Sequence, residues 1–212
     1  MRLDEAVRYF KQHEGVIPHM YLDVVGLVTV GVGFLLRTAE DAVALRFVNR
    51  ATGNLATAAE KRHEWTAVAA QQKARRASYY RQFTQLDLPA EQIDRRLEFL
   101  LGEFENVLKR RFPNFERFPW KAQLGLLDMV YSLGPSGFFR GYPKMCAAVA
   151  RQDWLGAAAE CERGGVSATR NRECKQLFLD AAMPPALEMA ETVALVAPPK
   201  KQAKKTKTRR LG

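Results

Sequence analysis

With 212 residues, 47% of them hydrophobic, the chain is long enough to bury a full core, either as one domain or as two small lobes sharing a helix. No apolar run approaches the roughly 20 residues of a membrane span, and Met1-Arg2-Leu3-Asp4-Glu5 places acids where a secretory signal needs an apolar stretch. The formal net charge is +10, but Lys200 to Arg210 holds seven positive charges and no acid, which leaves +3 for the rest, so the basicity belongs to a tail.

Leu3, Ala6, Val7 and Phe10 recur at helical spacing and predict an amphipathic helix over 3–13. Gly15 and Pro18 break it. From Met20 to Gly33 the chain turns β-like, with a Val25-Gly26 turn, and predicts two or three short antiparallel strands that helices must cover. Residues 40–50 and 56–83 read as helical, separated by Thr52-Gly53-Asn54. Asp87 reads as a helix cap, with Pro89 in the first turn of a helix whose apolar stripe is Ile93, Leu97, Leu100, Leu101, Phe104 and Leu108.

The stretch from Trp120 to Leu133 is apolar on nearly all sides and predicts the central helix of the core, stopped by Gly134-Pro135-Ser136-Gly137. Short helices follow near 138–151, 153–162 and 170–182. Residues 186–197 read as a marginal helix or linker, and 198–212 as a disordered basic tail, since they cannot bury enough apolar surface to offset ordering entropy.

Cys146, Cys161 and Cys174 match no metal spacing, leave at least one free thiol within the chain, and read as small buried apolar residues. A Cys161–Cys174 bond stays open. His13, His19 and His63 are scattered, so no metal and no cofactor are expected. His13 adjoins Glu14, which suggests a role in tuning the acid; its plain reading is an exposed or hydrogen-bonded histidine at a helix end.

The chemistry concentrates in Glu14, Asp23 and Thr29. One carboxylate ends a short helix, a second follows on the β segment, and a hydroxyl comes after a glycine turn. Two carboxylates in distinct environments are what glycosidic cleavage requires. Taken singly, a Glu at a helix end is a solvated group and an Asp three residues before Gly is a turn residue; their joint spacing beside a β-rich glycine segment changes the reading. Gly31-Val32-Gly33 lacks the third glycine and the βαβ context of a nucleotide fingerprint, so Gly31 and Gly33 read as points of close backbone and substrate approach.

Glu14-Gly15 … Tyr21-Leu22-Asp23 … Gly26-Leu27-Val28-Thr29-Val30-Gly31-Val32-Gly33 resembles the active-site signature of the phage-type lysozymes, glycoside hydrolase family 24. Ala122 to Gly134 resembles that family's buried core helix. Ala148 to Ala159, then Arg170-Asn171-Arg172-Glu173 and Leu177-Phe178-Leu179, agree in order. The resemblance spans roughly residues 3–182. Phe34 stands where many members carry His, and Ser132 where many carry Asn or Gln; segment 38–86 is longer than in the shorter members.

The resemblance implies a mainly α (α+β), two-lobed lysozyme-like fold over 1–185, with a small antiparallel sheet beside a cleft. It implies a muramidase that cleaves the β-1,4 bond between N-acetylmuramic acid and N-acetylglucosamine. Glu14 would be the general acid, its pKa raised by burial or a nearby negative charge. Asp23 with Thr29 would hold the attacking water. The expected outcome is inversion, which needs carboxyls about 6.5–9.5 Å apart. Ser132, Arg140, Arg170 and Arg172 become candidate cleft residues.

The implied partner is bacterial peptidoglycan. Cytoplasmic synthesis followed by holin-mediated release of a phage endolysin, or by export of an antibacterial effector with a cognate immunity protein, would bring the chain to the wall; both settings stay open. Nucleic acid is not the expected partner of the fold, although the tail could bind phosphates or anionic envelope polymers. Two alternatives remain: a degenerate lysozyme-fold module that binds wall or nucleic acid, and a lytic transglycosylase, which would need no water-positioning partner.

Overall fold

The computed structural model describes residues 2–183. Met1 and residues 184–212, including the linker and basic tail, lie outside it. Within the described residues the chain is mainly helical with a small antiparallel sheet, and no helix is long and apolar enough to cross a membrane.

Helix α1, Leu3–Glu14, forms where the apolar spacing places it and buries Ala6, Val7 and Phe10. Strands β1 (Ile17–Leu22), β2 (Val28–Gly31) and β3 (Phe34–Leu35) follow as an antiparallel meander. The register sets Tyr21 opposite Thr29 and Leu22 opposite Val28, with an irregularity between Ile17 and Tyr21. All four residues of β2 are buried, because helices cover the sheet.

Segment 38–86 supplies much of that cover. Helices α2 (Ala39–Val43) and α3 (Ala58–Ala69) each start on a capping box, Thr38 with Asp41 and Thr57 with Glu60. Helix α3 and the short helix α4 (Ala77–Tyr80) pack on β1. The helical reading of 40–50 and 56–83 holds in part: α2, α3 and α4 lie within or across these stretches, but neither stretch is helical throughout. Val48–Asn49 is instead strand β4, paired with β5 (Leu86–Asp87), and α3 ends at Ala69. Beyond it, Gln71-Gln72-Lys73-Ala74-Arg75-Arg76 has almost nothing apolar to bury, and packing rather than propensity sustains a helix in a protein. Asp87 is not the cap of the next helix. Its carboxylate pairs with Arg50 at 2.9 Å and Arg81 at 3.5 Å, and Pro89 immediately precedes α5, Ala90–Arg111.

Helix α5 buries Ile93, Leu97, Leu101 and Leu108 and crosses α1, where Lys11 meets Asp94 at 2.7 Å. Helix α6, Trp120–Gly141, carries the core: Ala122 through Val130 is buried without interruption. At Gly134 the backbone turns left-handed (φ +67°), so the helix breaks there and resumes at Pro135. Helices α7 (Pro143–Ala150), α8 (Trp154–Ala159) and α9 (Ala168–Ala181) pack in succession, and α9 returns onto α6. Cys146, Cys161 and Cys174 are buried free thiols.

The α6–α9 contact sets the spacing of everything that follows. Gly125 lies under the Phe178 ring, and a Cβ there would meet ring atoms at 2.7–3.1 Å. Gly125→Ala should therefore destabilise the fold by about 1–3 kcal/mol through overpacking, read as a fall in the urea midpoint with an unchanged slope.

Candidate functional site

Glu14 is the last residue of α1. Its side chain is 30% exposed. One oxygen, Oε1, accepts a hydrogen bond from Arg170 Nη2 at 2.9 Å. Burial pushes the Glu14 pKa up; Arg170 pulls it down, and Asp128 adds a further upward push.

Arg170 belongs to a buried network rather than to Glu14 alone. Its Nε donates to Asp128 Oδ1 at 2.9 Å, and its Nη2 also donates to that oxygen. Asp128 sits mid-helix on α6 with no exposure, and its Oδ2 lies 3.0 Å from Nη2 of Arg163, whose side chain is equally buried. Arg163 donates through Nη1 to Ser132 Oγ at 2.8 Å and to the Asp128 carbonyl at 3.1 Å. Asn171 holds the other side of Arg163, accepting from its N and Nε at 3.2 Å and donating to its carbonyl. Arg170 also stacks over Tyr9 and Phe10 of α1, 5.3 and 5.9 Å from the ring centroids.

An open cavity of about 550 Å³ lies against this network. Its lining includes Glu14, Gly33, Tyr131, Ser132, Ser167 and Arg170. His13 and Glu173 line it too, with His13 Nδ1 3.1 Å from Glu173 Oε2. Tyr131 donates its hydroxyl to the Val32 carbonyl, which ties α6 to the turn between β2 and β3. Burial pushes the Tyr131 phenol up, and Glu14 adds to it. Tyr21 is raised by burial and then by both Asp23 and Glu14, so its phenol lies in the field of both carboxylates.

Of the residues selected from sequence, the cavity gathers Glu14, Gly33, Ser132 and Arg170. Asp23, Thr29, Gly31, Arg140 and Arg172 do not line it. Asp23 follows β1, and its Oδ1 accepts backbone N–H bonds from Val25, Gly26 and Leu27 at 2.8–3.0 Å. That turn closes the β1–β2 hairpin. Thr29 is 3% exposed and donates its hydroxyl to the Leu27 carbonyl at 3.1 Å. Gly31 is not a point of substrate approach: a Cβ there would lie 2.8 Å from the Phe34 ring, so its role is packing. Arg140 is exposed on the last turn of α6.

Sequence reasoning missed Asp128, Arg163 and Tyr131. Asp128 did carry a signal, because an acid inside an otherwise apolar helix needs a buried cationic partner. Arg163, in a loop with no periodic pattern, carried none. Among the described residues no group of His, Cys, Asp and Glu could hold a metal ion. Comparison with known proteins finds no family model that matches the chain and no match among curated proteins.

The raised Glu14 pKa has a stability consequence. The folded state holds that proton more tightly than the unfolded chain does, so its contribution is complete below the ordinary glutamate pKa. It is lost as pH climbs through the raised folded value. Glu14→Gln removes the cost of ionisation. Its melting temperature should exceed that of the wild type by more at pH 7 than at pH 4, measured by circular dichroism.

Proposed function

We propose that the protein is a peptidoglycan hydrolase of the muramidase type, with a two-lobed, lysozyme-like arrangement of its elements. The observation that carries this reading is Glu14: a carboxyl with a raised pKa, fixed by Arg170, on the wall of an open cavity large enough for sugar rings. A carboxyl whose hold on its proton is strengthened by burial is suited to deliver that proton to a leaving glycosidic oxygen. In the two-lobed arrangement the sheet with α2–α4 forms the smaller lobe, α6–α9 form the larger, and α1 and α5 run between them.

Asp23 is the proposed partner. The backbone N–H bonds engage Oδ1, which leaves Oδ2 to accept a proton from an attacking water. Thr29 stands across the sheet from Tyr21, and its hydroxyl, which donates to Leu27, keeps its lone pairs for the same water. The fields of Glu14 and Asp23 meet at Tyr21, which supports their facing one substrate from two sides. Direct attack by water inverts the anomeric centre. The setting is that of a phage endolysin or of a secreted antibacterial effector.

A second reading has its own support. The burial of Thr29, and the absence of Asp23 from the cavity lining, favour a module that binds wall without cleaving it. Turbidity of purified cell walls, with mass analysis of products, separates the two. The wild type should clear walls and release reducing ends without a 1,6-anhydro product. Glu14→Gln should lose roughly 10²–10⁴-fold in rate, the usual worth of a general acid. Wild-type protein that binds walls and never clears them establishes the binding module, and an anhydro end replaces hydrolysis with a transglycosylase reaction.

A further inference from the structure

We infer that Asp128 is a positioning residue for Glu14: its buried carboxylate occupies both arginines, so that Arg170 orients Glu14 through one nitrogen without holding it as a carboxylate. The inference deepens the muramidase reading and rests on it for its catalytic meaning, while the charge arrangement stands on geometry alone.

Arg163 and Arg170 stay protonated wherever they are buried, so the pocket behind Glu14 contains two fixed positive charges. With both arginines and no other acid, Glu14 would be the counter-ion of the pair, and a carboxylate facing two guanidiniums ionises readily. Asp128 removes that demand. It takes Nε and Nη2 of Arg170 on Oδ1 and faces Nη2 of Arg163 with Oδ2, and it has no exposure at all. Glu14 receives one hydrogen bond from Arg170, at 2.9 Å, from a side chain 10% exposed. The result is a neutral Asp–Arg pair plus one guanidinium shared with Glu14.

The other charged and titratable groups around Glu14 are few. From α1 they are Tyr9, one turn back, and His13, which is paired with Glu173 of α9. From β1 comes Tyr21, with Asp23 beyond it, and from α6 comes Tyr131. After burial, the charges that act on Glu14 are Arg170, Asp128 and Arg163, with His13 last, so Asp128 is the one negative charge among them and opposes the pull of the two arginines.

The test reads the Glu14 proton directly, by carbon-13 NMR titration of labelled glutamate side chains in the full chain. Glu14 should titrate above the ordinary glutamate value in the wild type. Asp128→Asn leaves the arginines in place and should lower the Glu14 pKa by about one unit, a tenfold loss of proton affinity. Asp128→Glu should return it toward the wild-type value. Arg163→Met, which removes a positive charge and leaves Asp128, should move it upward. Opposite shifts from two substitutions in one cluster are not what damaged packing produces.

In wall-clearing assays the alkaline limb of the rate profile should move with the Glu14 pKa, to lower pH in Asp128→Asn and to higher pH in Arg163→Met. A Glu14 pKa unmoved by Asp128→Asn, or moved equally by Asp128→Glu, overturns the inference. If Asp128→Asn does not fold, the wild type and Arg163→Met decide: a wild-type Glu14 that titrates at or below the ordinary glutamate value, or a downward shift in Arg163→Met, overturns it. A wild type with the expected titrations and no wall clearing sinks the muramidase reading and leaves the charge arrangement standing.

Discussion

An unexposed aspartate in the middle of a helix core is costly unless its charge is met, and here two guanidiniums meet it. Asp128 comes from α6, Arg170 from α9, and Arg163 from the loop between α8 and α9. Their contacts hold those segments together, and the pair carries on to Glu14 at the end of α1. The cluster therefore joins the helical core to the residue with the clearest chemical capacity. Apolar packing brings the helices together, with Gly125 admitting Phe178, and the ion pairs of Asp128 with Arg163 and Arg170 join α6 to α9 and the loop before it.

The small sheet is held by different means. The β1–β2 turn is closed by Asp23 through three backbone N–H bonds, and Thr29 folds its hydroxyl back on Leu27. The β2–β3 turn is tied to α6 by Tyr131. In this way the sheet is anchored to the central helix next to Ser132, and Ser132 in turn receives Arg163.

Much of the fold was legible as periodicity. Helix α1, the apolar stripe of α5, the buried face of α6 and the break at Gly134 all follow from residue spacing and one glycine, and they appear where the pattern places them. The middle of the chain was not legible in this way. Strands β4 and β5 are two residues each, and their pairing is a matter of which segments meet in space. Asp87 looked like a helix cap because caps are local, but Arg50, 37 residues earlier, offers it a charge-assisted bond instead. For the site, Glu14 was visible as an acid at a helix end, while Arg163 gave no signal because it lies in a loop and its bonds to α6 reach 31 and 35 residues upstream.

By itself, the sequence determined where helices and turns can form, that seven of the positive charges fall within residues 200–210, and that Glu14, Asp23 and Thr29 share one short β-flanked stretch. Those are properties of neighbouring residues. Tertiary structure alone decided that Glu14, Gly33, Ser132 and Arg170 share a cavity, that Gly31 serves packing against Phe34, and that Arg140 stays outside. The physical reason is that burial and Coulomb energy depend on distance in space. Glu14 is buried by the fold and meets Arg170, 156 positions away along the chain and 2.9 Å away in space.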